Sequence, residues 1–395
     1  MEDRKFLIRE EKFGGIVYFP DKKLTLFVNR EMSRRFGIER STLWEGDEEI
    51  NSLSAPIEVH FSFTNLCPLN CSHCYTNGGE KKVRELSDEE IYKIIDILSG
   101  MKVFQIAFGG GEPFSHPNFL DFVNHALKKG IVPNVTTNGF YIDEDMAKKC
   151  RVFGSINVSI DGIGREKYLE YRGSDGWEYG KRAIKLLKKY GCNVGINVVV
   201  TRKNLHHLDE IFRFARKEGV KDILLLRFKP KGRGREEYLE KKFMEEDLKG
   251  FMNVLRGLNK FGIRIYLDCS FFPLLAYYTL DERILNLFSV SGCDGGNSLV
   301  SIDSEGNALP CSFSDDGEEV FKLKEIFVNS KAYNKFRDWD KNPPMPCKIC
   351  KYLKLCKGGC HVISECELND FYAPDPTCPI IIDYKRGVNH DALKI

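Results

Sequence analysis

The chain has 395 residues, enough for two or three domains and a large buried core. Its formal net charge of +2 excludes a strongly basic nucleic-acid binder or a polybasic membrane-surface protein. No apolar run reaches the length of a membrane span, and the first residues lack the apolar core of a secretory signal. We therefore expect a cytoplasmic protein without nucleic-acid or membrane partners.

The first predicted element, residues 1–54, is small and separate. Two β-prone runs, 13–19 and 23–28, flank the turn sequence Pro20-Asp21-Lys22 and predict a β-hairpin. Two roles stay open for this hairpin. An edge strand of it could bind a peptide by strand addition, or the element could form a lid over one end of the domain that follows.

Six β-prone runs alternate with amphipathic helical patterns in residues 55–270, the second predicted domain. Such strand–helix units predict parallel strands joined by right-handed crossovers, here an α/β fold with a partial (β/α)6 TIM-like barrel. Ser87 and Glu90 form a capping-box signature at the start of the first helix. The predicted strands are 57–63, 103–108, 132–136, 156–160, 194–200 and 223–228. The predicted helices are 87–98, 117–129, 143–150, 178–190, 205–218 and 245–261.

Polar residues alternate with apolar ones in the later strands. Asn157, Ser159 and Asp161, for example, alternate with Val158 and Ile160. Residues that face the surrounding helices are apolar, so we expect the polar residues to face the barrel interior. They lie near the carboxyl ends of the strands, where α/β folds place active sites. The alternative is that these strand ends simply enter solvent.

The fourteen cysteines are the unusual feature of the composition. In a reducing cytoplasm they are poor candidates for disulfides, and short spacings between them are typical of metal or cluster ligands. Cys67, Cys71 and Cys74 form a C-x3-C-x2-C array directly after the first barrel strand. Three thiolates on one loop leave one iron of a [4Fe–4S] cluster open to a small molecule, whereas structural zinc takes four closed ligands.

This array and the motifs behind it resemble the radical S-adenosylmethionine (SAM) superfamily. Phe108-Gly109-Gly110-Gly111-Glu112-Pro113 follows the second strand, where glycines let the backbone approach a ligand closely. The resemblance implies that the three cysteines hold a [4Fe–4S] cluster that binds SAM, and that reduction then yields a 5′-deoxyadenosyl radical. It also implies that Gly110, Gly111 and Glu112 bind the amino group of SAM and that Arg172 binds its carboxylate. Further implied SAM contacts are Thr137, Asn138, Ser159, Asp161 and Arg227. Arg233 is a second arginine that would lie over adenosine or substrate.

The C-terminal region, residues 271–395, is also rich in cysteines. It resembles the SPASM domain, an extension of radical enzymes that binds two auxiliary iron–sulfur clusters. The resemblance implies that Cys347, Cys350, Cys356 and Cys378 hold one auxiliary cluster. It assigns Cys293, Cys311 and Cys360 to the other, with Gly306 between the first two. Cys269 is the candidate for the missing fourth ligand, unless that site stays open; zinc in place of both clusters is the other alternative.

These patterns predict a radical SAM/SPASM oxidoreductase or maturase that modifies a protein, a peptide or a protein-bound cofactor. Maturation of a tungsten-containing aldehyde oxidoreductase is the finer prediction, since the overall plan resembles its maturases. Ribosomal-peptide crosslinking and sulfatase maturation are alternatives within the superfamily, and a non-catalytic iron–sulfur electron carrier is an alternative of another class. The expected partners are the substrate and an electron donor such as ferredoxin or flavodoxin.

Overall fold

The computed structural model of the protein describes residues 6–45, 52–287 and 290–393. Its strands are β1 Leu7–Glu11, β2 Gly14–Phe19, β3 Leu24–Asn29, β4 Glu58–Thr64, β5 Gln105–Gly110, β6 Val132–Thr137, β7 Ser155–Ser159, β8 Val194–Val200, β9 Asp222–Arg227, β10 Arg264–Leu267, β11 Leu299–Ile302, β12 Asn307–Leu309 and β13 Glu318–Glu319. Its α-helices are α1 Arg30–Arg35, α2 Asp88–Gly100, α3 Phe119–Lys128, α4 Glu144–Lys149, α5 Arg165–Arg172, α6 Trp177–Lys189, α7 Leu208–Lys217, α8 Gly234–Lys241, α9 Glu245–Leu258, α10 Phe272–Ala276, α11 Glu282–Leu287, α12 Leu323–Asn329, α13 Lys331–Arg337, α14 Leu353–Cys356, α15 His361–Leu368 and α16 Pro379–Lys385.

The main sheet has ten strands in the order β10-β9-β8-β7-β6-β5-β4-β11-β12-β13. Strands β4 to β9 are parallel and are the six predicted from sequence, which confirms the α/β fold with a partial barrel. Two short parallel strands extend it: β10 pairs with β9, and β11 pairs with β4. The cysteine-rich region therefore continues the same sheet through β11 and the antiparallel strands β12 and β13.

The two faces of the parallel strands differ as the alternation predicts. Val158 and Ile160 are fully buried in the apolar core between sheet and helices. On the other face, the side-chain amide of Asn197 donates to the hydroxyl of Thr136 at 3.2 Å. The predicted capping box of α2 is also present, since Ser87 and Glu90 each bond to the other's backbone N–H. The polar face is therefore the inner face of the barrel.

The N-terminal element is a three-stranded antiparallel sheet in the order β1-β2-β3. Strands β2 and β3 form the predicted hairpin, and β1 adds a strand that the sequence analysis missed. The sheet packs at the amino-terminal end of the barrel: Arg9 donates to the carbonyl of Ala55, Tyr18 to the side chain of Gln105, and Lys23 pairs with Asp222. This placement fits the predicted lid, at the end of the barrel opposite the strands' carboxyl ends.

Beyond the barrel, the helices are short, and the segments between them are tied by turns. The longest helix after residue 270 is α15, with eight residues. In the described part of the chain no helix combines the length and the apolar character needed to cross a membrane.

Candidate active site

The cysteine loop after β4 is joined by backbone hydrogen bonds to the glycine turn after β5. Gly111 N donates to Thr64 O at 2.8 Å, and Glu112 N donates to Leu66 O at 2.8 Å. Cys67 N in turn donates to Gly79 O at 2.7 Å, which closes the loop. The β4–β5 register shifts between Ser62 and Thr64, so the strand ends in a bulge immediately before the loop. The two predicted motifs therefore form one rigid unit.

Each of the three cysteine sulfurs in this loop has a polar donor or hydroxyl group beside it. Asn138 Nδ2 lies 3.5 Å from Cys67 Sγ, and Arg172 lies 3.4 Å from Cys71 Sγ. Gly78 N donates to Cys74 Sγ at 3.2 Å. Burial raises the pKa of Cys67 to about 12, so this thiol ionises at neutral pH only when a metal replaces its proton. The donors around the sulfurs fit thiolates that bind iron.

Glu112 is completely buried at the end of the glycine turn. Its carboxylate accepts hydrogen bonds from Thr137 Oγ1 and from Asn138 N, both at 2.7 Å. Burial raises the pKa of Glu112 to about 7, even though these donors favour the ionised form. The structure therefore brings Glu112, Thr137 and Asn138 together as the sequence predicts.

Asp161 and Arg172 form a buried ion pair next to the cysteine loop. Arg172 donates to Asp161 at 2.6 Å, and His73 lies 3.3 Å from the same carboxylate. Burial lowers the pKa of His73 to about 4, so the imidazole is neutral at pH 7. Within the described residues, Nε of Arg172 is a buried donor with no hydrogen-bond partner. Ser159 ends β7 on the same side, half-buried.

Arg227, which ends β9, and Arg233, which follows it, have different partners from those expected. Arg227 pairs with Asp375 at 2.8 Å and also donates to Ser270 O, so its guanidinium joins the barrel to the C-terminal region. Arg233 holds the cysteine loop, since its guanidinium donates to Cys71 O at 2.9 Å and to Gly78 O at 2.8 Å. The guanidinium of Arg227 is thus already engaged in a buried ion pair, which competes with the predicted contact to SAM. Sequence alone does not reveal this pair.

Four C-terminal cysteines, the predicted ligands of one auxiliary cluster, line a single apolar cavity; they are Cys347, Cys350, Cys356 and Cys378. Burial, and then the neighbouring Cys378 thiol, raise the pKa of Cys356 well above its usual range. No group of three or more His, Cys, Asp or Glu side chains in the described ranges is arranged to hold one metal ion. A cubane binds each thiolate through a different iron, so its sulfurs need not converge on one point.

The second auxiliary set is also assembled by the fold. Gly296 N donates to Pro310 O at 2.7 Å, which joins the segments that carry Cys293 and Cys311. Both cysteines pack against the apolar cluster of Phe336, Trp339 and Phe371. Burial raises the pKa of Cys293, and the Cys311 and Cys360 thiols add to this effect.

A polar cavity of about 570 Å³ opens beside the residues that follow Cys74. Tyr75, Thr76 and Asn77 line one side, and residues of the β11–β13 segment line the other. Two ion pairs cross its rim, Lys82 with Glu305 at 2.7 Å and Lys231 with Asp315. The cavity therefore connects the cysteine loop with the C-terminal region.

Comparison with known proteins identifies the domain that carries the cysteine array. Residues 61–215 match the Radical SAM superfamily, and this range contains the cysteine array, Glu112 and Arg172. Residues 61–215 therefore form a radical SAM domain. Over 345 residues it is 28% identical to the mycofactocin maturase MftC of Mycolicibacterium smegmatis, covering 82% of this chain and 83% of that protein. It is 25% identical to an AdoMet-dependent heme synthase of Methanosarcina barkeri, over 82% of this chain and 97% of that protein.

A solved structure extends the likeness beyond this domain to the whole fold. Streptococcus suis SuiB, in a crystal structure with S-adenosylmethionine bound, aligns with a TM-score of 0.75 at 18% identity. The alignment covers 95% of this chain and 99% of SuiB. SuiB therefore shares the fold of the barrel, the N-terminal sheet and the cysteine-rich region.

The glycine turn gives a first prediction, that Gly111→Ala destabilises the site. A Cβ at Gly111 would lie 2.3 Å from Leu66 O and 2.5 Å from Asn65 O, both backbone atoms of the cysteine loop. We expect a loss of at least about 1–3 kcal/mol of unfolding free energy, as for other overpacked sites. Anaerobic urea unfolding followed by circular dichroism measures it.

Gly100→Ala is the matched control, because a Cβ there meets nothing within 4 Å and the residue ends α2. We expect it to be neutral or to stabilise the protein slightly. Equal stability of the two variants would contradict the close packing of the two motifs.

Proposed function

We propose that this enzyme cleaves SAM reductively at a [4Fe–4S] cluster held by Cys67, Cys71 and Cys74, and that it modifies a peptide, a protein or a protein-bound cofactor. One observation carries the proposal: the loop of three thiols, each beside a polar group, is hydrogen-bonded to the glycine turn that ends in the buried carboxylate of Glu112. When bound, the reduced cluster supplies the electron that splits the sulfonium into methionine and a 5′-deoxyadenosyl radical.

The residues around the cysteine loop have separate tasks in this proposal. Glu112 accepts the amino group of SAM beside the backbone of Gly110 and Gly111, and Thr137 and Asn138 hold the carboxylate of Glu112 in place. Asp161 and Ser159 lie where ribose or the methionine carboxylate would bind. Arg172, which still has one unpaired buried N–H in the described structure, orients that end of the ligand. Arg233 keeps the cysteine loop in position.

The substrate in this proposal enters the polar cavity beside Tyr75, Thr76 and Asn77. A volume of about 570 Å³ suits a segment of peptide or a small cofactor, and the lining offers hydroxyls, amides and charges of both signs. The relative named a mycofactocin maturase supports a peptide-derived substrate, whereas the relative named a heme synthase shows that similar chains also act on other molecules. The finer proposal is maturation of a tungsten-containing aldehyde oxidoreductase.

Product analysis distinguishes this proposal from its alternatives. Purified enzyme with intact clusters, reduced with dithionite in the presence of SAM, is expected to release 5′-deoxyadenosine. No product from cluster-replete enzyme would favour an electron carrier, and zinc in place of iron would favour a structural metal domain. The neighbouring genes then separate the substrates: a tungsten oxidoreductase, a short peptide precursor or a sulfatase. Reduction by ferredoxin or flavodoxin tests the proposed electron donor.

Replacing Glu112 with glutamine is expected to weaken SAM binding by about 10- to 100-fold, the cost of a lost charge-assisted hydrogen bond of about 1.5–3 kcal/mol. Because burial raises the pKa of Glu112 to about 7, the wild-type carboxyl is protonated at lower pH and must lose its proton to bind SAM. Wild-type affinity should therefore fall as the pH drops through 7, more steeply than that of the variant. Anaerobic equilibrium binding at several pH values measures both effects.

Glu89→Gln provides the control for this measurement, because Glu89 is exposed in the first turn of α2. Its SAM affinity and pH profile should match the wild type. Identical pH profiles for wild type and Glu112→Gln would contradict the assigned role of Glu112.

The N-terminal sheet offers a second binding site for a peptide substrate. Strand β3 is an edge strand and exposes Leu24, Leu26 and Phe27, whereas β1 on the other edge packs on the barrel through Arg9. Such an edge can add a peptide strand through backbone hydrogen bonds. Leu26→Pro is expected to raise the KM for a peptide substrate without changing SAM cleavage in its absence. An unchanged KM would leave only the lid role.

A further inference from the structure

Cys269 lies outside the SPASM cysteine spacing but next to the second auxiliary set in the fold. It begins a 3₁₀ helix, Cys269–Phe271, immediately after β10. Because β10 pairs in parallel with β9, this turn lies beside the carboxyl end of β9, where Arg227 and Lys229 follow. A short strand that the sequence pattern does not show therefore decides where this thiol lies.

The first link joins Cys269 to Cys311. Asp268, the residue before Cys269, accepts a hydrogen bond from buried Lys229. The ammonium of Lys229 lies 4.6 Å from the ring centre of Phe313, two residues after Cys311. Lys229 thus lies between the segments that carry the two cysteines.

The second link joins Cys269 to Cys360. Ser270, the residue after Cys269, offers its carbonyl to Arg227 at 2.8 Å. The same guanidinium pairs with Asp375, and Asp375 accepts the backbone N–H of Cys360 at 3.2 Å. Both neighbours of Cys269 in the chain are therefore fixed to segments that carry the predicted cluster ligands.

The environment of Cys269 agrees with this placement. Its side chain is exposed by accessible area, and its thiol lies within electrostatic range of the thiols of Cys293 and Cys311. The cation of Lys229 also interacts with this thiol, and it would stabilise thiolates bound to a negatively charged cluster.

We propose that Cys269 is the fourth thiolate ligand of the auxiliary cluster bound by Cys293, Cys311 and Cys360. This inference rests on the auxiliary clusters of the proposed function. In the ligation step the S–H bond of Cys269 is replaced by a sulfur–iron bond, the proton leaves to solvent, and no electron is transferred. Full protein ligation makes this cluster a closed site that does not bind substrate, unlike the cluster at Cys67, Cys71 and Cys74.

The test uses the full chain with Cys67, Cys71 and Cys74 replaced by alanine, so that no open iron remains at the SAM site. This parent is expected to hold about eight irons in two [4Fe–4S] clusters, and mild ferricyanide oxidation should give no [3Fe–4S] signal by electron paramagnetic resonance. Adding Cys269→Ser should either remove about four irons or produce that signal. If Cys269→Ser removes about four irons, adding Cys293→Ser as well should cause no further loss, because both cysteines serve one cluster.

Cys366→Ser in the same parent is the control, because Cys366 is an exposed cysteine on α15 that no cluster is predicted to use. Circular dichroism checks that each variant is folded. Iron content and spectra of Cys269→Ser equal to those of the Cys366→Ser control would overturn the inference, as would a [3Fe–4S] signal in the parent. The result does not depend on SAM cleavage, so failure of the proposed catalytic function is seen separately in the 5′-deoxyadenosine assay.

Discussion

Replacing Cys67, Cys71 and Cys74 with alanine is expected to abolish 5′-deoxyadenosine formation. The same variant should keep about eight of about twelve irons per chain, because the auxiliary sets do not depend on these thiols. The physical reason is coordination: three thiolates leave one iron free for the amino and carboxylate groups of SAM, and a closed four-thiolate cluster offers no such position. Anaerobic iron and sulfide analysis and chromatography of the reaction products measure the two effects.

Cys366→Ala is the control for the triple variant, because it removes an exposed thiol that has no predicted ligand role. It should keep both the iron content and the activity of the wild type. A yield of 5′-deoxyadenosine from the triple variant equal to that of the wild type would contradict the proposed function. Loss of most of the iron together with the activity would show instead that the cysteine loop is needed for the whole fold.

The barrel and its first motif could be predicted from sequence because their signals are local. The alternation of Val158 and Ile160 with Asn157 and Ser159 gives a strand and its inner face, and the structure has both. Glu112 follows glycines that hold a backbone turn: Gly110 has a φ of +115°, and a Cβ there would meet Thr64 O at 2.3 Å. Such constraints are visible in the residue types themselves.

Contacts between distant segments could not be predicted in this way. Arg227 was assigned to SAM because it ends a barrel strand, but its partner Asp375 lies in the C-terminal region, where no local pattern points to it. Strand β1 was missed because its inward residues, Arg9 and Glu11, are charged and satisfied by each other and by backbone carbonyls. The role of Arg233 depends on carbonyls of the cysteine loop, to which it is joined only by folding.

Asp375→Asn is expected to cost about 3–5 kcal/mol of unfolding free energy, because it leaves a buried guanidinium without its counter-charge. The side chains of Arg227 and Asp375 are only 4% and 0% exposed, so water cannot replace the lost interaction. Asparagine keeps the size of aspartate but turns one acceptor oxygen into a donor, so the N–H of either Cys360 or Thr377 also loses its acceptor. Anaerobic urea unfolding of the cluster-loaded protein, followed by circular dichroism, measures the loss.

Two further variants separate this effect from a general loss of polarity. Glu31→Gln breaks an exposed ion pair, in which the side chains of Glu31 and Arg35 are 73% and 68% exposed. It should cost less than about 1 kcal/mol of unfolding free energy. Arg227→Met combined with Asp375→Asn should destabilise the protein less than the sum of the two single changes, since charged neighbours couple by about 0.5–3 kcal/mol. If Asp375→Asn costs no more than Glu31→Gln, the pair does not hold the C-terminal region to the barrel.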